Sequence, residues 1–432
     1  AYQNARHLLT KSHIRQKKET RKQSKINVGM IGMGARGQAL LKGVLLSMRG
    51  VCVAAVCDLY SDRADAAANI IKNSHNSSAA AYTRFEDMLD REKLDAVIVS
   101  CSWEDHVSVA CAALERGVAV AMEVGGCYDT EEAWRLVNTW ERTKTPFMFL
   151  ENCCFDRGET LATNLVRAGV LGKIVYCSGA YAHDLRQEIA GGYQNRHYRL
   201  RNYLHRNCEN YPTHEVGPIA KILNINRGNR FVKLTSVASL AAGMEQYICD
   251  HKELYPELAG KRFAQGDIVD TIITCAGGET VLIRLDTTLP RFYDRALCVR
   301  GTKGLYDGSA DMVFVDGVDE DMFDTRAAYK KMAGNSAKYI DYLPAAWRDI
   351  TPEQMASGHG GMDYLELKEF FDCLKTGAPM PIDVYDAAAW MSVTALSEQS
   401  IATGGAPVIF PDYTRGKWTT RPRLDVSVIN KK

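Results

Sequence analysis

The sequence predicts an α/β chain of two unlike halves. The first is a parallel sheet wound with helices. The second is an α+β part on a large, mainly antiparallel open sheet. Three observations carry this: short apolar runs alternate with helical stretches from Ile26 to about residue 150, a glycine-rich turn follows the first run, and the later segments become longer, β-rich and joined by turn signals.

In order, "INVGMIGMG" reads as a strand and "RGQALLKGVLL" as a helix, "VCVAAVCD" as a strand and "RADAAANIIK" as a helix. "LDAVIVS" is a third strand before "DHVSVACAALERG", "VAVAME" a fourth before "TEEAWRLVNTWERT", and "PFMFL" a fifth. Such alternation implies right-handed crossovers and a parallel sheet. After Glu151 a helix, "ETLATNLVRAGVLG", leads into the strands "KIVYCSGAYAH", "FVKLTSVASL", "DIVDTIITCAGG", "TVLIRLDTT" and "RALCVRGTKG". Gly277-Gly278 is a hairpin signal. A polar stretch over 184–214 is too long for a plain connection and points to function. "MDYLELKEFFDCLKTG" and "DVYDAAAWMSVTALSEQSIATG" are two closing helices. The expected organisation is a basic arm over 1–25, a nucleotide-binding domain over 26–150, and a substrate and oligomerisation domain over 151–432.

The 432 residues suffice for two domains, and 46% hydrophobic content, 24% charge and net charge +1 are ordinary for a globular chain. That balance offers nucleic acid no basic surface, and no apolar run approaches the roughly 20 residues that span a bilayer. The arm carries Arg6, Lys11, Arg15, Lys17, Lys18, Arg21, Lys22 and Lys25 against Glu19. No apolar stretch follows, so no intact signal peptide is expected there, and a start at Ala fits a trimmed N-terminus. The 13 cysteines sit mostly in apolar runs without zinc spacing, and read as buried thiols.

Gly32-Met33-Gly34-Ala35-Arg36-Gly37 is G-x-G-x-x-G between a strand and a helix. Glycines there permit a tight turn and close backbone approach, and the helix N-terminus offers N–H groups to a pyrophosphate. Asp58 ends the second strand, where a carboxylate accepts from ribose hydroxyls and disfavours a 2′-phosphate. A Rossmann domain binding NAD follows. Ser100, Trp103 and His106 stand on the same carboxyl edge. Trp103 is placed to pack on the cofactor, and His106 reads equally as a helix-entry hydrogen bond.

These features resemble the Gfo/Idh/MocA oxidoreductases from about residue 26 onward. In that family's sugar dehydrogenases the fourth strand ends in Glu-Lys-Pro, and the lysine helps deprotonate the hydroxyl being oxidised. Here the motif is Glu123-Val124-Gly125, and the expected Asp-x-x-x-His is Asn210-Tyr211-Pro212-Thr213-His214. A simple polyol dehydrogenase is therefore disfavoured. "ENCCFDR" (Glu151–Arg157), "GAYAHDLR" (Gly179–Arg186), "NYPTHEVGPIAKILNINRG" (Asn210–Gly228) and "GHGGMDY" (Gly358–Tyr364) strongly resemble the NAD-dependent glycosidases of glycoside hydrolase family 109, of which α-N-acetylgalactosaminidases are the best-known type. Three departures bear on substrate: Gly125 replaces a proline, Glu215 replaces a small residue, and residues 187–206 are rich in Arg and His.

The resemblance implies a redox-neutral cycle: transient oxidation at C3 with NAD as hydride acceptor, loss of the acidified C2 proton, elimination of the glycosidic group, addition of water and return of the hydride. It implies His214, Tyr181, His183, Tyr211 and Glu151 as catalytic or orienting groups, and Tyr293 and Arg186 at the substrate. Glu123 and Asn152 join Ser100, Trp103 and His106 at the cofactor. An imidazole ordinarily titrates at about 6.5, suited to moving protons at neutral pH. Tyr181 and His183 alternate with Ala182 and so share one strand face. Which group serves C2 stays open. Arg186, Arg196, Arg199, Arg201 and Arg206 are read as a solvated loop, with an acidic sugar or phosphate as the alternative, and the histidine spacing fits no metal motif. The expected partners are a small-molecule or glycan substrate and, by resemblance, a second copy of the chain, with no nucleic acid and no membrane span. The expected location is periplasmic or extracellular after export, with the cytoplasm left open. An NAD-dependent sugar oxidoreductase and a non-catalytic NAD- and sugar-binding protein remain as rivals.

Overall fold

A computed structural model describes residues 25–75, 78–125, 127–319 and 325–426. All but Lys25 of the expected basic arm lies outside them. The first sheet holds β1 (Ile26–Ile31), β2 (Val51–Cys57), β3 (Ala80–Tyr82), β4 (Ala96–Val99), β5 (Ala119–Glu123) and β6 (Phe147–Leu150). They are parallel, in the order β3-β2-β1-β4-β5-β6. Helices α1 (Ala35–Gly43), α2 (Ser61–His75), α3 (Phe85–Arg91), α4 (His106–Glu115) and α5 (Thr130–Thr143) make or extend the crossovers. Covered on both faces, the central strands are apolar throughout: every residue of β4 is buried. The five strands expected from sequence are present, and the addition is β3, three residues too few to show a pattern. The strand order reverses between β1 and β4, which opens a crevice at their carboxyl ends.

The second sheet comprises β7 (Ile174–Ala182), β8 (Phe231–Ala238), β9 (Ile268–Cys275), β10 (Thr280–Asp286), β11 (Cys298–Gly301), β12 (Gly304–Asp307), β13 (Met312–Val315) and β14 (Val408–Ile409). Its order is β13-β12-β11-β7-β10-β9-β8-β14, antiparallel except where β7 and β10 run parallel. Along β9 and β10 burial alternates, so one face meets the core and the other solvent. The helices here that matter for the site are α6 (Arg157–Arg167), α7 (Arg186–Ala190), α8 (Arg199–His205), α9 (Thr213–Ile222), α10 (Met362–Thr376) and α11 (Val384–Ala402). The polar stretch 184–214 is folded into α7, α8 and the start of α9, over a small core of Leu185, Ile189, Tyr203 and Leu258.

Helix α11 is apolar on nearly every side and packs between α5 and β8. Its start is fixed by Asp383, whose carboxylate accepts from Tyr385 and Asp386 N–H groups. One continuous core runs through both sheets, from Val28 and Ile98 to Phe149, Trp390, Ile219 and Val281. All 13 cysteines are free thiols, and of these only Cys249 is exposed. Among the described residues no helix is long and apolar enough to cross a membrane.

The glycine-rich turn owes its shape to two positions. Gly32 sits at φ +94°, and a Cβ on Gly37 would lie 2.0 Å from the Gly32 carbonyl oxygen. Gly37→Ala is therefore expected to cost about 2 kcal/mol or more. Urea unfolding would measure it, and an unchanged midpoint would show that the turn has room.

Candidate active site

At the carboxyl edge of the first sheet the turn is braced from three sides. Asp58 Oδ2 accepts from the Met33 N–H at 2.7 Å, and its Oδ1 from the Tyr60 N–H at 3.0 Å. The Ser100 hydroxyl donates to the Gly32 carbonyl at 2.8 Å. The Met33 side chain is fully buried in the core. Ala35 is exposed, and a Cβ on Gly34 would meet nothing nearer than Arg63 Nη1 at 3.7 Å. The open side of the turn is thus a cradle of the kind a dinucleotide fills, with the first N–H groups of α1 behind it. On the same carboxyl edge, the Trp103 indole N–H is buried with no protein partner.

The side chains of Arg36, Glu123 and Asn152, expected at a cofactor, meet one another's partners instead. Arg36 donates to Glu123 Oε1 at 2.9 Å and to both oxygens of Asp363 at 2.7 and 3.0 Å, and Asn152 donates to Asp363 at 2.9 Å. Burial raises the Glu123 carboxyl against the pull of Arg36. His106 is also a structural group. Its Nε2 donates to the Cys101 carbonyl at 3.1 Å, and burial lowers its pKa to about 4, so the ring is neutral at the entry of α4.

Beyond β6 lies the cluster that chemistry requires. Glu151, fully buried at the strand's end, accepts from His214 Nδ1 at 2.8 Å and from the Cys153 N–H at 3.1 Å. His214 stands in the first turn of α9. Burial would raise the Glu151 carboxyl, but His214 overrides it and holds the group below its ordinary range. Tyr181 ends β7, and its Oη lies 3.2 Å from His183 Nδ1. The ring of Tyr181 is 4.5 Å from that of Tyr211 and 5.4 Å from that of His214. Tyr293, 46% exposed, lies edge-on to His183 at 5.0 Å and forms the outer wall. Burial pushes the phenols of Tyr181, Tyr211 and Tyr293 upward, so they remain protonated donors. Burial and the nearby Arg199 lower the His183 pKa and keep that ring neutral. Glu151, Cys153 and His214 bring ligand atoms within 4.8 Å of one another, a set able to hold a thiophilic cation. Burial keeps the Cys153 thiol protonated, and the Glu151–His214 contact is a hydrogen bond.

The arginine-rich stretch departs from expectation. Arg186 is folded back in a fork on Asp184, at 2.9 and 2.7 Å, with Tyr247 beneath it, rather than set at the Tyr/His cluster. Nor is the stretch a solvated loop. Arg196 pairs with Asp62, Arg201 with Glu104 and Arg206 with Glu398, the first two tying the stretch to the nucleotide half. The arginine at the cluster is Arg199. It is 7% exposed, lies 5.1 Å over both the Trp103 and Tyr211 rings, and keeps Nη1 without a protein partner.

Residues 155–420 match the C-terminal domain of glycosyl hydrolase 109, and residues 26–150 match the oxidoreductase family with an NAD-binding Rossmann fold. The chain belongs to glycoside hydrolase family 109. It is 36% identical over 419 residues to "Alpha-N-acetylgalactosaminidase" of Tannerella forsythia, covering 92% of this chain and 88% of the relative. It is 34% identical over 400 residues to a Shewanella oneidensis protein of the same name, covering 91% and 86%. In fold it is similar to myo-inositol 2-dehydrogenase from Lactobacillus plantarum, with TM-score 0.63 at 15% identity over 90% of this chain and 100% of that one. A scyllo-inositol dehydrogenase of Lactobacillus casei with bound NAD(H) and scyllo-inositol gives TM-score 0.63 at 13% identity, over 89% and 99%.

As a family 109 member the chain is an NAD-dependent glycosidase, and the Gly34 cradle with Asp58 and Trp103 fits that cofactor. The departures noted in its sequence have local causes. Val124, in the lysine's place, is 6% exposed and part of the core. A Cβ on Gly125 would strike the Trp103 ring at 2.4 Å, which excludes proline there in this arrangement. Glu215 is fully buried with both oxygens unpartnered, and burial raises its carboxyl, which favours the neutral acid. Sequence reasoning missed Arg199 as a site residue, since nothing in the spacing of five arginines separates it. It also missed Asp363, which stood inside the quoted "GHGGMDY" without a role.

Glu151→Gln is expected to lower kcat by about 100-fold or more, by removing the anion behind His214. Because folding holds the Glu151 carboxyl low, its stabilisation is present above the ordinary carboxyl pKa of about 4.3 and is lost as pH falls through the folded value. The same variant should therefore flatten the acid limb of a pH–stability curve from guanidinium melts. Arg199→Met is expected to raise KM for the glycoside about tenfold or more, with NAD affinity little changed; an unchanged KM would remove Arg199 from the sugar site.

Proposed function

We propose that this family 109 enzyme hydrolyses α-N-acetylgalactosaminides by oxidation at C3, elimination and rehydration. The observation that carries the mechanism is what meets at the site: two imidazoles and three phenols around one buried carboxylate already bound to His214. A conventional glycosidase needs two carboxylates flanking the scissile bond. Here the polar groups suit stepwise proton transfer instead.

When bound, NAD supplies a reversible hydride acceptor for C3. His214, held through Nδ1 by Glu151, offers Nε2 to the proton of the C3 hydroxyl, and the carboxylate stabilises the imidazolium that forms. The neutral His183 ring on the Tyr181 phenol supplies both a base for the acidified C2 proton and a donor for the leaving oxygen. The leaving alcohol carries the donated proton away; when water adds, the pair takes a proton from the water attacking C1 and delivers a solvent-derived proton to C2. Arg199 offers its free Nη1 to a sugar oxygen, and Tyr293 closes the outer face. The sugar identity rests on the names borne by the two relatives above.

The test is release of nitrophenol from p-nitrophenyl α- and β-glycosides in deuterated water, with and without added NAD. Nitrophenol release from the α-N-acetylgalactosaminide, with deuterium at C2 and no net NADH, is the expected result. NADH from free sugars without nitrophenol release would return the protein to the oxidoreductases.

A further inference from the structure

The redox-neutral cycle places a demand on the protein that the sugar site does not meet. The reduced cofactor must still be present when the hydride is returned. A residue cluster outside the sugar site ties the glycine-rich turn to the second half of the chain.

Arg36, in the first turn of α1, is the fifth residue of the glycine-rich turn. Its guanidinium, a quarter exposed, reaches two carboxylates from opposite halves of the chain: Glu123 at the end of β5 and Asp363 in the first turn of α10. Asp363 is 1% exposed and accepts from Arg36 twice and from Asn152 once. His359 Nδ1 lies 2.9 Å from the same carboxylate and 3.2 Å from Arg36 Nη1. Burial would raise the Asp363 carboxyl, but His359 and Arg36 hold it well below the usual range, so it stays charged. The turn before α10 is shaped around this carboxylate. A Cβ on Gly358 would lie 2.3 Å from Asp363 Oδ2, and Gly358, Gly360 and Gly361 all have positive φ. The far end of α1 is near as well, with a Cβ on Gly43 falling 3.6 Å from the Gly358 nitrogen.

We infer that His359 and Asp363 are positioning residues that fasten the dinucleotide turn to the second half of the chain through Arg36, and so keep NAD bound throughout the cycle. Arg36 is then not a phosphate ligand. It joins the turn against which the dinucleotide lies to the second half of the chain. Bidentate, charge-assisted pairing gives that link a fixed geometry that a lysine would not. The inference rests on NAD as the bound cofactor.

The test uses full-length protein loaded with radiolabelled NAD and chased with excess unlabelled NAD. Asp363→Asn, which leaves Arg36 with Glu123 as its one carboxylate, is expected to speed label release about tenfold or more. His359→Gln changes a side chain more than half exposed, so it leaves folding intact, and is expected to speed release about two- to fivefold. The Michaelis constant for the glycoside at saturating NAD should move less than the release rate in both. Release rates within error of wild type in both variants, with only the melting temperature lowered for Asp363→Asn, would reduce the cluster to a structural one and overturn the inference. Wild-type protein that retains no label at all would overturn the cofactor reading and this inference with it.

Discussion

A carboxylate with no exposure survives in a protein interior only when its charge is met, and Glu151 is met by His214. That one bond fixes the site. Glu151 belongs to the end of the parallel sheet and His214 to the first turn of α9, which lies against β7. Tyr211, three residues before His214, then meets Tyr181, at the end of β7, with ring centres 4.5 Å apart. All these residues lie beyond residue 150, and the parallel sheet supplies the strand end from which Glu151 follows.

The fold is shared with polyol dehydrogenases only 13–15% identical in sequence, so function has to be read from the side chains at the site. Where a lysine would reach the reacting hydroxyl there is a valine sunk in the core, with a glycine behind it that lets Trp103 lie close. The imidazoles and phenols of the site stand together beyond β6. His214 is backed by an anion, His183 is kept neutral, and three phenols are kept as acids. These protonation states are fixed by burial and by neighbouring charge within the protein itself.

Much of this was legible in the sequence because it is periodic or local. The strands of the parallel sheet are buried on both faces and read as unbroken apolar runs, and the glycine turn with Asp58 is defined by short spacings. Tyr181 and His183 share a face because strands alternate. What could not be read is what depends on distant pairing. β3 and β14 are too short to carry a pattern, and the parallel pairing of β7 with β10 leaves no mark on either strand. Arg36, Glu123, Asn152 and Asp363 look like four separate polar residues until the fold brings them within 3.0 Å of a partner. Arg186 and Arg199 are indistinguishable by neighbourhood in the chain. One finds Asp184 two residues away, and the other is carried by α8 under Trp103.

The placement of α11 bears on how the protein is made. The Phe149 N–H, on β6 at the border of the first sheet, donates to the Ile382 carbonyl just ahead of that helix, and Tyr385 donates to Glu141 on α5. The nucleotide half emerges first from the ribosome, yet its outer strand and last helix are completed by chain synthesised long afterwards. Domains usually fold in order of emergence. Here the outer strand and last helix of the amino-terminal half reach their final packing only once residues 382–402 have been made.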